Sequence, residues 1–182
     1  SKDEHLFIVL HTIGSHGPTY FRRYPKEFKK VTPTCDTEEI QTCTREQIVN
    51  TYDNTILYAD HISASVIDIL KEHPKWESGM MYVSDHGESL GENGVYLHGL
   101  PYAIAPETQT RVPMVIWMSN TMKEADHIDY ACLKKKAAEG KFSHDNISHS
   151  LLTLMESQSK VYDPKLDIFD SCRTLPLPQE QK

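Results

Sequence analysis

Long apolar runs are missing from this sequence. No stretch of the 182 residues approaches the roughly 18 consecutive apolar side chains of a spanning helix, so we predict a soluble chain that does not itself cross a membrane. The polar residues 1–5 run straight into a short apolar segment, so we predict no secretory leader within this sequence. Since the chain starts abruptly in structured-looking sequence, we expect it to be a piece of a longer protein.

An excess of positive charge is also missing. Lysine and arginine number 19 and aspartate and glutamate 26, which gives a net charge of −7. Because nucleic-acid binding needs a broad basic face, this balance predicts no nucleic-acid partner. With 38% hydrophobic and 25% charged residues, the chain can bury a core and is neither disordered nor fibrous. The length fits one domain or part of one.

Cysteine is scarce, and no pair has the CxxC spacing of a structural zinc ribbon. Cys35 and Cys43 flank a short polar loop, and the even total of 4 cysteines fits disulfides in an oxidising compartment. The alternative is a set of free thiols in a cytosolic protein. Of the three possible pairings we favour Cys35–Cys43, which leaves Cys132 to pair with Cys172.

Three apolar segments have the character of buried strands. They are residues 6–10, 80–83 and 112–118, the last with its proline near the strand start, where a missing backbone donor is tolerated. Helical patterns separate the strands, which predicts an α/β sheet with helices on its faces. Residues 174–182 contain two prolines and little to bury, so we predict a flexible tail.

A long helix is predicted between the first two strands. Thr44 and Gln47 have the spacing of a capping box, and Pro74 should end the helix near Glu72. Apolar side chains recur along one face at helical spacing: Ile48, Tyr52, Ile56, Ala59, Ile62, Val66 and Ile69. A second helix is predicted over residues 144–155.

Polar side chains and glycines follow the ends of the first two predicted strands, in residues 11–18 and 84–99. Ligands of open α/β sheets collect beyond the carboxyl ends of the strands, so parallel strands would bring both segments to one edge. The residues expected to meet there are His16, Asp85, His86, Glu88 and His98. His11 is ambiguous, since it could instead be packed at the end of the first strand. For the other six histidines we predict no role.

Asp85 and His86 are the sharpest candidates for metal ligands. A carboxylate oxygen and an imidazole nitrogen both suit zinc, and a catalytic zinc needs a third protein ligand and an open position. For an isolated Asp-His pair, the alternative is a helix cap beside a surface histidine.

Five segments carry a resemblance to a known family: HTIGSHGPTYFRRYP, PTCDTEEIQTC, NTYDNTILYAD, SDHGESLGENGVYLHGLPYA and VPMVIWMS. They resemble the lipid A phosphoethanolamine transferases, which include the plasmid-borne colistin-resistance enzymes. The resemblance implies an α/β/α sandwich like that of alkaline phosphatase and the sulfatases. Residues 1–173 would be the carboxyl-terminal part of this catalytic domain. The full-length protein would be anchored in the bacterial inner membrane, with the catalytic domain on the periplasmic side.

The resemblance also implies roles for the site residues. Asp85 and His86 match two zinc ligands, and the other ligands are an upstream glutamate and an upstream threonine nucleophile. Neither has a counterpart in this sequence, so we expect the chain alone to be inactive. His16 and His98 match catalytic histidines that contact the phosphoethanolamine group or hold further zinc, and Glu88 matches a further active-site carboxylate. Cys35 and Cys43 match one disulfide of the family.

The implied reaction is the zinc-dependent transfer of phosphoethanolamine from phosphatidylethanolamine to a lipid A phosphate, through a covalent threonine intermediate, which gives polymyxin resistance. Two other readings use the same residues. One is a sulfatase or a glycerol-phosphate polymer synthase. The other is a non-catalytic module that binds metal or phospholipid.

Overall fold

The computed structural model describes residues 5–175, which form two compact units. Residues 10–72 and 80–117 make up the first unit, and the described residues 5–9, 73–79 and 118–175 make up the second. In this part of the chain, every helix is too short or too polar to span a membrane.

The first unit is organised by helix α1 (Arg45–Lys71). The Thr44 hydroxyl accepts a hydrogen bond from the Gln47 N–H at 3.2 Å, and the Gln47 side chain accepts one from the Thr44 N–H at 2.9 Å. These two bonds satisfy donors that the first turn leaves free, and they confirm the predicted capping box. The helix ends at Lys71 with Glu72 as its C-cap, as predicted.

The buried face of α1 is more polar than predicted. Its buried residues are Ile48, Thr51, Asn54 and Thr55. Ile56 and Ile69 of the predicted apolar stripe are exposed, while its other members beyond Ile48 are half-buried, so the prediction is confirmed only in part. This face of α1 is covered by irregular chain that includes residues 30–35. The backbone N–H and C=O groups of irregular chain need hydrogen-bond partners, and polar side chains provide them.

Side chains of α1 supply those partners. The Asn54 side-chain oxygen accepts the N–H groups of Lys30 and Val31, each at 2.8 Å, and its amide donates to the Val31 carbonyl at 2.9 Å. The Thr51 hydroxyl accepts the N–H of Cys35 at 2.7 Å. The Cys35–Cys43 disulfide is present, as predicted. A small apolar core lies beside it, formed by Tyr20, Cys35, Ile40 and Ile48.

Two small sheets complete the first unit. Strand β1 (Gly79–Val83) leads to the antiparallel hairpin of β2 (Ser89–Leu90) and β3 (Tyr96–Leu97), in which Ser89 pairs with Leu97. Helix α2 (Glu107–Thr110) follows, and β4 (Met114–Met118) then pairs with β1. The second and third predicted strands are therefore confirmed, and β4 begins directly after Pro113.

The first predicted strand is wrong. Residues 6–10 form no strand, and their apolar side chains are exposed, Leu6 to 81%. An apolar run specifies a buried strand only where other strands and helices cover it, and in the described part of the chain no strand pairs with this segment.

Three short helices form the second unit: α3 (Asn120–Ala125), α4 (Tyr130–Glu139) and α5 (Asp145–Leu154). Helix α5 confirms the predicted helix over residues 144–155. The Cys132–Cys172 disulfide is also present as predicted, and joins α4 to the 3-10 turn Asp170–Cys172. In the predicted tail, the Thr174 N–H bonds to the His127 carbonyl at 2.9 Å, and residues 176–182 lie outside the described residues.

Candidate metal and phosphate site

Three histidine side chains from different loops meet in the first unit. His16 lies in the loop before α1, His86 follows β1, and His98 follows β3. One ring nitrogen from each lies within 4.8 Å of the others. The His86 and His98 rings stack with their centroids 3.9 Å apart, and the His16 ring meets both edge-on. We call these three residues the histidine cluster.

Each ring of the histidine cluster is held through Nδ1. The Nδ1 atoms of His16 and His86 lie 2.7 and 3.0 Å from the carbonyl oxygen of the next residue. Nδ1 of His98 lies 3.2 Å from Oε1 of Glu88. Carbonyl and carboxylate oxygens only accept, so each Nδ1 carries the proton. In the neutral imidazole the lone pair then lies on Nε2, which is how proteins present histidine to a metal.

Glu88 connects the loops of the site. Its side chain is only 3% exposed, and besides His98 it accepts the Gly17 N–H at 3.0 Å and the Tyr20 hydroxyl at 3.2 Å. Burial raises the pKa of Tyr20, and the Glu88 charge raises it further, so the hydroxyl remains a donor. A buried carboxylate is stable only when its charge is compensated, and a cation bound to His98 would provide that compensation.

Two glycines allow the loops to approach so closely. A Cβ atom at Gly17 would lie 2.5 Å from Cδ2 of Leu97, and one at Gly87 would collide with the Thr108 carbonyl oxygen. The Gly87 N–H donates to the Gln109 carbonyl at 2.9 Å, which fixes the turn after β1. A larger side chain at Gly87 would have to move backbone, and one at Gly17 would push the Leu97 and Tyr20 side chains aside.

Helix α2 contributes further hydrogen bonds to the loops of the site. The buried Gln109 side chain donates to the Ser89 hydroxyl at 2.9 Å and accepts the Leu100 N–H at 3.4 Å. It therefore joins Ser89, directly after Glu88, to Leu100, two residues after His98. Sequence reasoning missed both Gln109 and Tyr20, because nothing in the local pattern distinguishes them from ordinary polar and aromatic residues.

Asp85 lies at the edge of the histidine cluster. Its side chain is 86% exposed, and Oδ2 lies 4.0 Å from Nε2 of His86. The structure thus brings together four of the five predicted site residues, His16, His86, Glu88 and His98, with Asp85 beside them. His11 is exposed and not packed. The assignment of Asp85 and His86 as primary zinc ligands stays a prediction.

The donor set fits zinc. Imidazole nitrogen and carboxylate oxygen are ordinary zinc ligands, and the ligands of one tetrahedral ion lie roughly 3.4 Å from one another. One ring nitrogen from each histidine already lies within 4.8 Å of the others, so a bound ion would have to draw them together by little more than about 1 Å. The same spacing also admits a phosphate oxygen between two imidazoles, so this constellation suits metal-assisted chemistry at phosphorus or sulfur.

The fold and the site define the class of this protein. The family profile described as Sulfatase matches residues 1–157, and the chain belongs to this family. The predicted sulfatase and alkaline phosphatase type of fold is thereby confirmed.

Within this class, the chain is similar to phosphoethanolamine transferases. Phosphoethanolamine transferase EptA of Escherichia coli (strain K12) is 56% identical over 167 residues, which are 91% of this chain and 30% of that protein. Phosphatidylethanolamine transferase Mcr-2 of Escherichia coli is 44% identical over 160 residues, which are 87% of this chain and 28% of that protein.

A solved structure agrees with these relatives. The soluble domain of lipooligosaccharide phosphoethanolamine transferase A from Neisseria meningitidis matches with a TM-score of 0.89 and 54% identity, over 91% of this chain and 50% of that domain. The family resemblance of the sequence motifs is confirmed. This chain spans less than a third of the two curated relatives and half of the solved domain.

Proposed function

We propose that this chain is the metal- and phosphate-binding part of a transferase that moves phosphoethanolamine from phosphatidylethanolamine to a lipid A phosphate. The observation that carries the proposal is the histidine cluster, whose Nδ1 atoms are all engaged and whose Nε2 atoms are left for a ligand. Its occurrence in a sulfatase-family chain similar to named phosphoethanolamine transferases supports this substrate class.

Asp85 and His86 are proposed to hold the primary zinc. His86 offers Nε2, and Oδ2 of the exposed Asp85 carboxylate lies 4.0 Å from it, while Oδ1 accepts the His86 N–H at 3.1 Å. Bound zinc would polarise phosphoryl oxygens and lower the pKa of an attacking hydroxyl. The threonine that the resemblance assigns as nucleophile matches no position of this sequence, and neither does the further glutamate ligand.

His16 and His98 are proposed to contact the phosphate group, or to hold a second zinc. The Glu88 carboxylate accepts from Nδ1 of His98 and thereby fixes the direction in which that ring presents Nε2. A protonated His98 could then donate from Nε2 to a phosphate oxygen, or to the glycerol oxygen that leaves with diacylglycerol. The transition state of phosphoryl transfer gathers negative charge on its equatorial oxygens, so imidazolium groups stabilise it.

The implied reaction has two displacements at phosphorus. The threonine oxygen replaces diacylglycerol, and an oxygen of the lipid A phosphate then replaces the threonine. Two disulfides suit an oxidising compartment, in accordance with a catalytic domain at the periplasmic face of the inner membrane. The added ethanolamine carries positive charge, which would weaken the attraction of cationic polymyxins and give resistance.

The test is mass spectrometry of lipid A from bacteria that lack such transferases and express the full-length protein containing this chain. Lipid A should gain one phosphoethanolamine group. His86→Ala should abolish the gain, and His61→Ala, a histidine on α1 outside the cluster, should not. An unmodified lipid A with the unsubstituted protein, or full modification with His86→Ala, would contradict the proposal. Release of inorganic sulfate from aryl sulfates would favour the sulfatase alternative instead.

A further inference from the structure

An exposed apolar loop follows the histidine cluster directly. Residues 99–105, here called the 99–105 loop, come immediately after His98 and before helix α2. The Tyr102 side chain is 86% exposed and that of Ile104 is 68% exposed, and Leu100 beside them is exposed as well.

The 99–105 loop is a defined turn. The N–H groups of Ile104 and Ala105 both donate to the Pro101 carbonyl at 2.9 Å, and the Leu100 N–H donates to the side chain of Gln109 at 3.4 Å. These bonds fix the backbone while Tyr102 and Ile104 project into solvent. The apolar tip is therefore held in place beside His98.

The loop and its neighbours in the sequence carry no fixed charge. Residues 93–106 include no aspartate, glutamate, lysine or arginine, although a quarter of the whole chain is charged (25%). Entry of this segment into an apolar phase would therefore bury apolar surface without removing a fixed charge from water. Tyrosine is favoured at the boundary between headgroups and acyl chains, because its ring is apolar and its hydroxyl stays hydrated.

We propose that the 99–105 loop docks on the surface of a phospholipid bilayer, with Tyr102 and Ile104 inserted at the boundary between headgroups and acyl chains. The inference rests on the proposed function, because phosphatidylethanolamine is itself a bilayer lipid. Insertion of the tip would place His98 at the level of the lipid phosphate. The loop would thus let the site reach a donor phosphate without extracting the lipid into water.

The test uses an environment-sensitive fluorophore on a single introduced thiol. All described cysteines of this chain are paired, so Tyr102→Cys is labelled with NBD in the full-length protein, after any other free thiol has been replaced. The protein is reconstituted in vesicles of equal parts phosphatidylethanolamine and phosphatidylcholine. Ile104→Cys is a second labelling position. Val161→Cys, on a side chain that is 74% exposed in the second unit, is the control.

Labels at 102 and 104 should show a severalfold rise in emission and should be quenched by doxyl-labelled lipid, while the label at 161 shows neither change. Labels at 102 and 104 that remain as hydrated as the label at 161 would overturn the proposal. So would an apolar environment that lipid-borne doxyl groups do not quench, because protein would then cover the loop.

A second readout separates this inference from the proposed function. Tyr102→Ser/Ile104→Ser should lower turnover of long-chain phosphatidylethanolamine in vesicles roughly tenfold, given the apolar area removed, and should keep turnover of a dispersed short-chain donor. An equal loss with both donors would show a structural role and overturn the inference. Membrane insertion of the label without any transfer by the unsubstituted protein would contradict the proposed function alone.

Discussion

Glu88 determines the electrostatics of the site at the scale of single residues. Its buried carboxylate accepts three hydrogen bonds, from Gly17, Tyr20 and His98. It thereby positions one loop backbone and one imidazole together, and its negative charge favours a cation next to His98. Residues that hold a ligating histidine in this way contribute to metal affinity without touching the metal.

Glu88→Gln should therefore weaken the binding of a second zinc ion at His98 by roughly 10–100-fold and leave the tightly held zinc at Asp85 and His86 in place, because the side-chain amide turns a donor toward groups that themselves donate. The measurement is a competitive zinc titration of the full-length protein against a chelator. Glu107→Gln is the matched control, since its exposed side chain pairs only with Arg111 on the surface of α2. Equal affinity for this second zinc in the Glu88 variant and the control would contradict the role of Glu88.

Asp126 gives a prediction about pH. Burial raises the pKa of its carboxyl above the ordinary 3.8; Arg173 opposes the rise, and Glu156 and Glu77 add to it. The folded state thus binds this proton more tightly than the unfolded state, so its contribution to stability is full below the ordinary pKa and is lost as pH rises through the raised pKa.

Asp126→Asn should consequently raise the free energy of unfolding at pH 7, and the gain should shrink as the pH falls toward the ordinary carboxyl pKa. The charge also lies at the C-cap of α3, where the helix dipole disfavours an anion. Urea unfolding at a series of pH values measures the effect, with the exposed Asp60→Asn as control. A pH-independent difference would show that packing, and not ionisation, is responsible.

The membership of the histidine cluster could be predicted from the sequence, because residues 11–18 and 84–99 stand out as segments rich in histidine and glycine, although the strand expected before the first of them does not form. Which nitrogen of each ring carries the proton could not be predicted. It depends on where the carbonyls of Gly17 and Gly87 point, and that direction is set by close packing against Leu97 and Thr108.

At the scale of elements, side chains of α1 provide hydrogen-bond partners for the backbone of the irregular segment that covers the helix. Asn54 satisfies two N–H groups and one carbonyl of residues 30–31 with a single fully buried side chain. This segment has no strand or helix of its own to satisfy those backbone groups. These hydrogen bonds explain why α1, for which an apolar face was predicted, buries asparagine and threonine instead.

Asn54→Ala should destabilise the first unit by about 2–4 kcal/mol, since it leaves buried backbone groups without partners. Asn50→Ala is the matched control on the same helix, because Asn50 makes one exposed bond to the Pro33 carbonyl and should cost less than about 1 kcal/mol. Denaturant unfolding compares the two variants. Similar losses would mean that helix propensity, and not the buried bonds, is being measured.

Helix boundaries were predictable here because their causes are local. The Thr44–Gln47 capping box lies within one turn, and Pro74 acts on its immediate neighbour. Burial was not predictable from periodicity, because it depends on what covers a surface. Residues 6–10 and Ile56 have the expected apolar pattern and are nevertheless exposed.

At the scale of the whole molecule, each unit contains one disulfide. Cys35 and Cys43 are 8 residues apart in the first unit, and Cys132 and Cys172 are 40 apart in the second. The chain-entropy argument gives about 2.5 kcal/mol for the shorter loop and about 4 kcal/mol for the longer one. The Cys132–Cys172 disulfide should therefore contribute more to the free energy of unfolding than the Cys35–Cys43 disulfide.

Paired Cys→Ser variants test this order by thermal unfolding. Loss of Cys132–Cys172 should lower the melting temperature more than loss of Cys35–Cys43, with intact protein as the reference. The opposite order would indicate that the buried Cys35, which belongs to the core of the first unit, contributes more through packing than through loop closure.

The central claim is that the chemistry of this chain lies in its histidine cluster with Asp85 at the edge, and zinc content tests it most directly. The full-length protein, Asp85→Asn, His86→Ala, His98→Ala and the control His61→Ala are purified under one condition, and bound zinc is measured after dialysis against a weak chelator. We predict that Asp85→Asn and His86→Ala lose the tightly held zinc, while His98→Ala retains it but loses transfer activity. Full zinc content in His86→Ala would contradict the claim.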